Sequence, residues 1–156
     1  MLELDDIQHI LLARTPAMTG RYDFVSFADA AGGRAWLSEL LGRVQSAAQA
    51  RATLDSTQRW ITLALTCNGL RALGVPEASL ATFPAEFREG MAARADILGD
   101  TGVDHPDNWV GGLGGDDLHA LVILFARDET EQRRCTAEHD QLVPAAPGCA
   151  FCHFWM

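Results

Sequence analysis

The sequence predicts an α+β fold of the ferredoxin-like (split β-α-β) type, in which one antiparallel sheet carries helices on one face. Segments with strand and helix patterns follow one another as strand, helix, strand, helical insert, strand, helix and strand. The chain has 156 residues, which is the size of one ordinary domain. We therefore predict a single domain over residues 1–156, with the helical insert between strands 2 and 3.

The first half of this pattern is a strand, an amphipathic helix and a second strand. Residues 21–29 alternate aromatic and aliphatic side chains, as strands do, and Asp29 can cap a following helix. Apolar residues then recur at spacings of three and four over residues 30–50. This spacing predicts one amphipathic helix that continues through Gly42. Residues 59–66 alternate again and predict the second strand.

The insert has helical signals separated by turn residues. Asn68 and Gly74 bound a short predicted helix, and residues 82–99 predict a longer one that Gly99 ends. We expect the apolar stripe of the longer helix to lie in the core; its members are Phe83, Phe87, Met91, Ala95 and Leu98. Residues 101–115 are rich in Gly, Pro and Asp and predict a loop.

The third strand predicts that the sheet is apolar on both faces. Within residues 116–128, apolar residues occupy odd and even positions alike, whereas a sheet with one solvated face would alternate with polar residues. A second amphipathic helix over residues 129–143 and a last strand at residues 149–156 complete the pattern. We infer that something covers the second face.

Composition excludes some functions. The formal net charge is -9, and all 12 cationic residues are Arg, so a phosphate backbone would be repelled and nucleic-acid binding is not expected. No apolar run reaches the ~20 residues of a membrane span, and the acidic N-terminus does not resemble a signal peptide. We expect a cytoplasmic protein without membrane contact. In that compartment Cys67 and Cys135 are interpreted as packed thiols.

The last residues contain the spacing C-x-x-C-H at Cys149, Cys152 and His153, which is the attachment sequence of a c-type haem. Covalent haem requires export and a surrounding pocket, zinc requires a fourth ligand, and a redox pair requires a helix N-terminus. None of these is evident, and a second axial ligand would have to be Met91 or Met156. A buried terminal strand or a foreign tail is the favoured interpretation.

Three further sites hold groups that could carry chemistry. Asp104, His105 and Asp107 share one loop and could form a metal or acid-base site, but a polar surface loop is the commoner arrangement. His119 is interpreted as a hydrogen-bonded, partly buried histidine. His139, between Glu138 and Asp140, is expected to be solvated.

Several segments in order resemble the N-terminal half of the dye-decolourising (DyP-type) haem peroxidases. The resemblance runs through most of the chain to about Asp140, and its segments are residues 2–8, 63–76, 83–100, Trp109 and residues 117–128. His9 stands where members often have Gly. The resemblance implies two ferredoxin-like halves packed sheet against sheet and oxidation of bulky aromatic substrates by H2O2.

The resemblance also implies that haem b is held mainly by the second half, whose G-x-x-D-G signature, distal Arg and proximal His cannot be placed on this chain. Residues 111–117, GGLGGDD, only superficially resemble the signature and are interpreted as a loop. We therefore assign no catalytic, cofactor-binding or metal-binding residue, and expect this chain alone to be inactive and without bound haem. The alternative is a non-catalytic ferredoxin-like module that dimerises through its sheet.

The tail after Gly148 suggests a frameshift. Codons for residues 148–156, read two bases out of frame, are compatible with a family-like strand that leads toward the second half. We hypothesise that residues 149–156 are out of frame, and that the chain is a truncated N-terminal half.

Overall fold

The computed structural model describes residues 2–12, 16–17, 19–53, 56–142 and 149–155, the last range by its backbone alone. The strands in these ranges are β1 (Thr19–Phe27), β2 (Arg59–Leu65), β3 (Ala120–Ala126) and β4 (Cys149–Trp155). They form one antiparallel sheet in the order β2-β3-β1-β4. This order is that of two interleaved β-α-β units, so the predicted fold class is confirmed.

The helices lie in the connections between these strands. β1 is followed by α1 (Ala30–Leu41) and α2 (Ala47–Thr53), and β3 is followed by α7 (Glu129–Asp140). The insert between β2 and β3 contains four short helices, namely α3 (Cys67–Ala72), α4 (Glu77–Leu80), α5 (Ala85–Glu89) and α6 (Ala95–Leu98). Single 3-10 turns lead from α6 toward β3.

The predicted helix over residues 30–50 is in fact two helices. α1 begins at its cap Asp29, whose side chain accepts a hydrogen bond from the Gly32 amide, and ends before Gly42. Residues 42–46 form a turn, and Ser46 and Gln49 then exchange side-chain hydrogen bonds with each other's amides. Such a reciprocal pair starts a new helix, because it satisfies two amides that have no partner within the helix.

The predicted helix over residues 82–99 is also wrong as a single element. Gly90 has φ 75° and ψ 179°, a conformation that breaks the helix and that side-chain-bearing residues rarely adopt. The core stripe predicted on it is wrong as well, since Met91 is 62% exposed and Ala95 is the buried member. An apolar spacing of three and four indicates a buried stripe only as far as the backbone stays helical.

The core lies between the sheet and α1 and α7. Odd positions of β1 and even positions of β3 point into it, among them Val25, Phe27, Val122 and Leu124. Trp36 of α1 is fully buried, and its ring centroid lies 5.5 Å from that of Phe27. Truncation of such a buried aromatic residue typically costs about 3–5 kcal/mol, so this contact is a main attachment of α1 to the sheet.

The insert is anchored where β2 ends. Thr66, rather than the predicted Asn68, caps α3, because its Oγ1 accepts a hydrogen bond from the Gly69 amide at 2.9 Å. The same hydroxyl donates to the Leu118 carbonyl at 2.7 Å. A Cβ at Gly69 would lie 1.9 Å from the His119 carbonyl oxygen, so only glycine allows α3 to approach β3 this closely.

Candidate functional site

The second face of the sheet is apolar, as the sequence predicts. Register places Tyr22 opposite Ile123 and Phe24 opposite Leu121, and all four are only half-buried, whereas their neighbours on the helix-covered face are buried. The Tyr22 and Phe125 rings meet edge to face, with centroids 6.5 Å apart. Aromatic and aliphatic side chains therefore form a continuous layer on this face.

The insert extends this layer with a groove of about 630 Å3. Phe24 of β1 contributes to its lining together with residues of the insert: Met91, Val103, Trp109, Val110, Leu113 and Leu118. Several of these are strongly exposed, with Val103 at 85% and Val110 at 71%. We call the second sheet face and this groove the open apolar face. Large continuous apolar surfaces of this kind mark interaction sites in soluble proteins.

A second groove of about 380 Å3 adjoins the first and shares Met91, Trp109, Leu113 and Leu118 with it. Its lining adds Phe87 and Cys67 together with the carboxylates of Glu86, Glu89 and Asp116. Arg88 supplies a cation, and its Nε donates to the Phe83 carbonyl at 3.1 Å. The second groove is therefore lined by apolar side chains together with three acidic residues.

The loop candidates behave as a polar surface loop. His105 Nδ1 lies 3.3 Å from Asp107 Oδ2, and these side chains are 50% and 88% exposed. The Asp104 carbonyl accepts a hydrogen bond from Trp109 Nε1 at 2.9 Å, which holds the loop against the groove. Residues 111–117 lie in turns before β3, as predicted. In the described part of the chain, three or more His, Cys, Asp or Glu side chains nowhere gather as a metal site would require.

His119 is confirmed as a hydrogen-bonded, partly buried histidine. Its Nδ1 accepts from the Phe27 amide at 2.7 Å, and its ring lies against the Phe27 ring at 5.3 Å. Burial lowers the pKa of His119, with a smaller opposing effect from Asp117. Because Nδ1 accepts this hydrogen bond, the neutral ring carries its proton on Nε2, and neither nitrogen then offers a free lone pair to iron.

The prediction that His139 is solvated is wrong. Its side chain is 1% exposed and lies beneath α7, with Nε2 3.5 Å from Oδ2 of Asp23, a buried carboxylate on β1. Burial lowers the pKa of His139 more strongly than Asp23 raises it. The period of α7 places His139 four residues after the buried Cys135, and this signal could have revealed its position.

Arg21 and Asp23 form a buried ionic cluster that the sequence interpretation did not single out. Arg21 Nε donates to Asp23 Oδ1 at 2.6 Å, and the Arg21 guanidinium also binds Asp140 on α7. Both residues are at odd positions of β1, on the same face as Val25 and Phe27, and two charges on an apolar face indicate a buried pair. The cluster joins the sheet to α7 and lies on the opposite side from the open apolar face.

The C-x-x-C-H spacing falls on β4. The backbone is extended from Cys149 to Trp155 and pairs with β1, with Cys152 opposite Phe24 and His153 opposite Asp23. A terminal strand is therefore confirmed for the backbone. The side chains of Cys149, Cys152 and His153, and all of Met156, lie outside what the structure describes.

Comparison with known proteins identifies the family. The family model described as "DyP dimeric alpha+beta barrel domain" matches residues 6–146. The chain belongs to the DyP family. A crystal structure of DyP superposes on this DyP domain with a TM-score of 0.81 at 15% identity, over 99% of the present chain and 33% of the solved one.

Other solved DyP structures have the same fold. A fungal DyP-type peroxidase from Auricularia auricula-judae gives a TM-score of 0.79 at 20% identity, over 99% of this chain and 33% of that one. An ancestral D-type dye-decolorizing peroxidase gives 0.78 at 23% identity, over 97% and 34%. The DyP domain thus spans about a third of the length of these relatives. A search of curated proteins finds no match.

The described residues do not fit a histidine-ligated haem. Neither groove of the DyP domain is lined by a histidine. Of the histidines whose side chains are described, His9 and His139 are buried, His105 is in the solvated loop, and His119 accepts a backbone hydrogen bond. Haem peroxidase chemistry requires an axial ligand and acid-base groups at one iron site, and these residues do not converge on one.

Among the helices that the structure describes, none combines the length and the apolar character that a membrane span requires.

Proposed function

We propose that this chain is the N-terminal half of a DyP-type haem peroxidase and acts only together with a C-terminal half that holds the haem. The observation that carries the proposal is the open apolar face. Its half-buried aromatic and aliphatic side chains continue from the sheet into the groove beside Met91 and Trp109. The role of this half is then to cover, and to keep water from, one side of the second half.

The activity of the whole protein would be the oxidation of bulky aromatic compounds, in which H2O2 is the oxidant and bound haem would be the redox centre that passes its oxidising equivalents to the substrate. Membership of the DyP family and the likeness to DyP peroxidase structures support this proposal. Because the described histidines do not converge on a groove, we expect this chain alone to bind no haem and to show little or no turnover. We place its action in the cytoplasm.

We further propose that residues 149–156 are translated out of frame. The family match ends at residue 146, just before Gly148, where the shifted frame would begin. The pairing of β4 with β1 is compatible with this proposal, because strand ladders are made by backbone groups and accept many apolar sequences. A family-like strand in the alternative frame would pair in the same way and then lead into the second half.

The experiment begins with the DNA that follows the Met156 codon, read in all three frames. We expect one frame to encode G-x-x-D-G and a later His, and we would co-express that polypeptide with this chain. The pair should show a Soret band with haemin and oxidise an aromatic dye with H2O2, and the chain alone should do neither. Histidine-ligated haem and turnover by the chain alone would contradict the proposal, as would the absence of such a frame.

A second candidate is a non-catalytic module that dimerises through its sheet. The family model's description as a dimeric domain favours it, and the same open apolar face would be buried. Light scattering separates the two candidates, since the module should be a monodisperse dimer. Ile123→Glu, which adds a charge to that face, should then give a monomer.

A further inference from the structure

β2 lies at one end of the sheet, so its outer edge has no neighbouring strand among the described residues. In an antiparallel ladder, alternate residues direct both backbone groups to the same side. The backbone N–H and C=O groups of Ile61 and Leu63 point away from β3, because their amides bind glutamine side chains. Those of Trp60, Thr62 and Ala64 point toward β3. Unpaired groups on such an edge attract another strand.

Two glutamine side chains occupy this edge. The Leu63 amide donates to Gln8 Oε1 at 2.9 Å, and Gln8 Nε2 donates back to the Leu63 carbonyl at 2.8 Å. The Ile61 amide donates to Gln45 Oε1 at 2.9 Å. A carboxamide carries one acceptor and two donors, so Gln8 reproduces the pair of hydrogen bonds that a neighbouring strand would make.

The segments that carry these glutamines are tied to each other. The His9 amide donates to the Gln45 carbonyl at 3.1 Å, and the Ala47 amide donates to the Ile7 carbonyl at 2.7 Å. Residues 7–9 and 45–47 therefore form a short ribbon along the edge of β2. We call this ribbon, with the Gln8 and Gln45 side chains, the edge latch.

The segment behind the edge latch is prone to strand pairing. Residues 60–65 read WITLAL, six residues without charge, proline or glycine and mostly β-branched, aromatic or aliphatic. Short uncharged segments of high β-propensity pair readily when an edge exposes them. β2 carries no charged side chain after Arg59 that would repel a second copy.

We propose that the outer edge of β2 is a gated interaction surface, which the edge latch closes and which takes a second copy of this chain by strand addition when the latch opens. The outward groups set the register. Two antiparallel copies of β2 can place Ile61 of each opposite Leu63 of the other, with Thr62 at the two-fold axis. Such a pairing is self-complementary and joins two sheets into one. It is independent of the open apolar face and of the proposed function.

The test compares the wild-type chain with Gln8→Ala/Gln45→Ala. Gln58→Ala is the control, because Gln58 is an exposed glutamine next to β2 whose Nε2 binds the Ser56 carbonyl. Hydrogen exchange reports the Ile61 and Leu63 amides, and light scattering reports mass over a range of concentrations. In a dilute solution of the double variant, we expect these two amides to exchange at least about tenfold faster than in the wild type, because they have lost their acceptors.

As concentration rises, the mass of the double variant should increase twofold over that of the wild type, and both amides should regain protection. Amides that exchange as in the wild type would overturn the latch, and fast amides with no change of mass would overturn strand addition. If the double variant loses its native circular dichroism, the same two outcomes are read from a single variant. The Gln45→Ala single variant then serves instead, with the Ile61 amide alone as the reporter, because that amide loses its acceptor while Gln8 stays in place.

Discussion

Arg21 on β1 forms a bidentate ion pair with Asp140 in the last turn of α7, with Nη2–Oδ1 at 2.6 Å and Nη1–Oδ2 at 3.2 Å. A carboxylate at a helix C-terminus is unfavourable, because it faces the negative end of the helix dipole. Arg21 offsets this cost and at the same time neutralises Asp23, which is 0% exposed. One buried guanidinium therefore holds the last helix onto the first strand.

Arg21→Ala should destabilise the chain strongly. It would leave the Asp23 carboxylate buried without its cation, and loss of one partner of a buried pair costs about 3–5 kcal/mol. Urea unfolding followed by circular dichroism measures the change. The matched control is Arg133→Ala. Arg133 forms an ion pair with Glu129 in which the two side chains are 71% and 79% exposed, so its loss should change the free energy of unfolding by no more than about 0.5 kcal/mol. Equal midpoints for both variants would contradict the assigned role.

His139 should make the chain less stable as the pH falls below neutrality. Burial holds the pKa of His139 below its ordinary 6.5 although Asp23 and Asp140 attract a proton, with Arg21 and Arg43 acting in the same direction as burial. The unfolded chain takes up a proton near pH 6.5 that the folded chain does not. The contribution of the neutral His139 to the free energy of unfolding is thus fully present above that pH. Below it, this contribution declines by up to about 1.4 kcal/mol per pH unit.

The measurement is the free energy of unfolding as a function of pH, from about 7.5 to about 5.5, a range that spans the ordinary histidine pKa. His139→Gln should reduce the change of the free energy of unfolding with pH. Part of that change should remain, because burial also lowers the pKa of His9 and His119. A slope that His139→Gln does not alter would refute the prediction.

Cys135 should be unreactive in the folded chain. It is 2% exposed, and burial raises the pKa of its thiol to about 11, so almost no thiolate is present at pH 8. Iodoacetamide labelling with peptide mapping should modify Cys135 only after unfolding in urea. Labelling of Cys135 at equal rates in the folded and unfolded chain would show that the thiol is accessible.

The fold was predictable because its signals are strong and local. β3 was recognised from its apolar run, and the cap of α1 from Asp29. The breaks at Gly42 and Gly90 were not predicted, because helix periodicity continues in the sequence where the backbone does not. A glycine within a helix costs only about 1 kcal/mol, so contacts with neighbouring residues decide whether the helix continues through it.

The site was only partly predictable. Two apolar faces on β3 indicated an unpartnered surface, but which insert residues extend it depends on backbone turns that no period describes. Met91 and Phe83 were assigned to the core because an apolar stripe indicates burial without naming the partner. His139 was misjudged because its charged sequence neighbours outweighed its position on the buried stripe of α7.

Ile123→Glu should leave the fold intact and weaken binding at the open apolar face. Ile123 is half-buried between Tyr22 and Thr62, so the charge meets solvent and should cost about 1 kcal/mol in strand propensity. Fluorescence of a hydrophobic dye should fall relative to wild type. Leu41→Glu, at a 54% exposed position on α1, should leave the dye signal unchanged. Equal losses in both variants would show that the dye does not report this face.

The most direct test of the central claim is hydroxyl-radical footprinting of the chain with and without the proposed C-terminal half. Contact of that half with the open apolar face should lower the labelling of Tyr22, Met91 and Trp109 several-fold. Leu41, exposed on the helix side, should be labelled equally in both samples. A complex that forms while these three residues stay fully labelled would show that the partner half binds elsewhere.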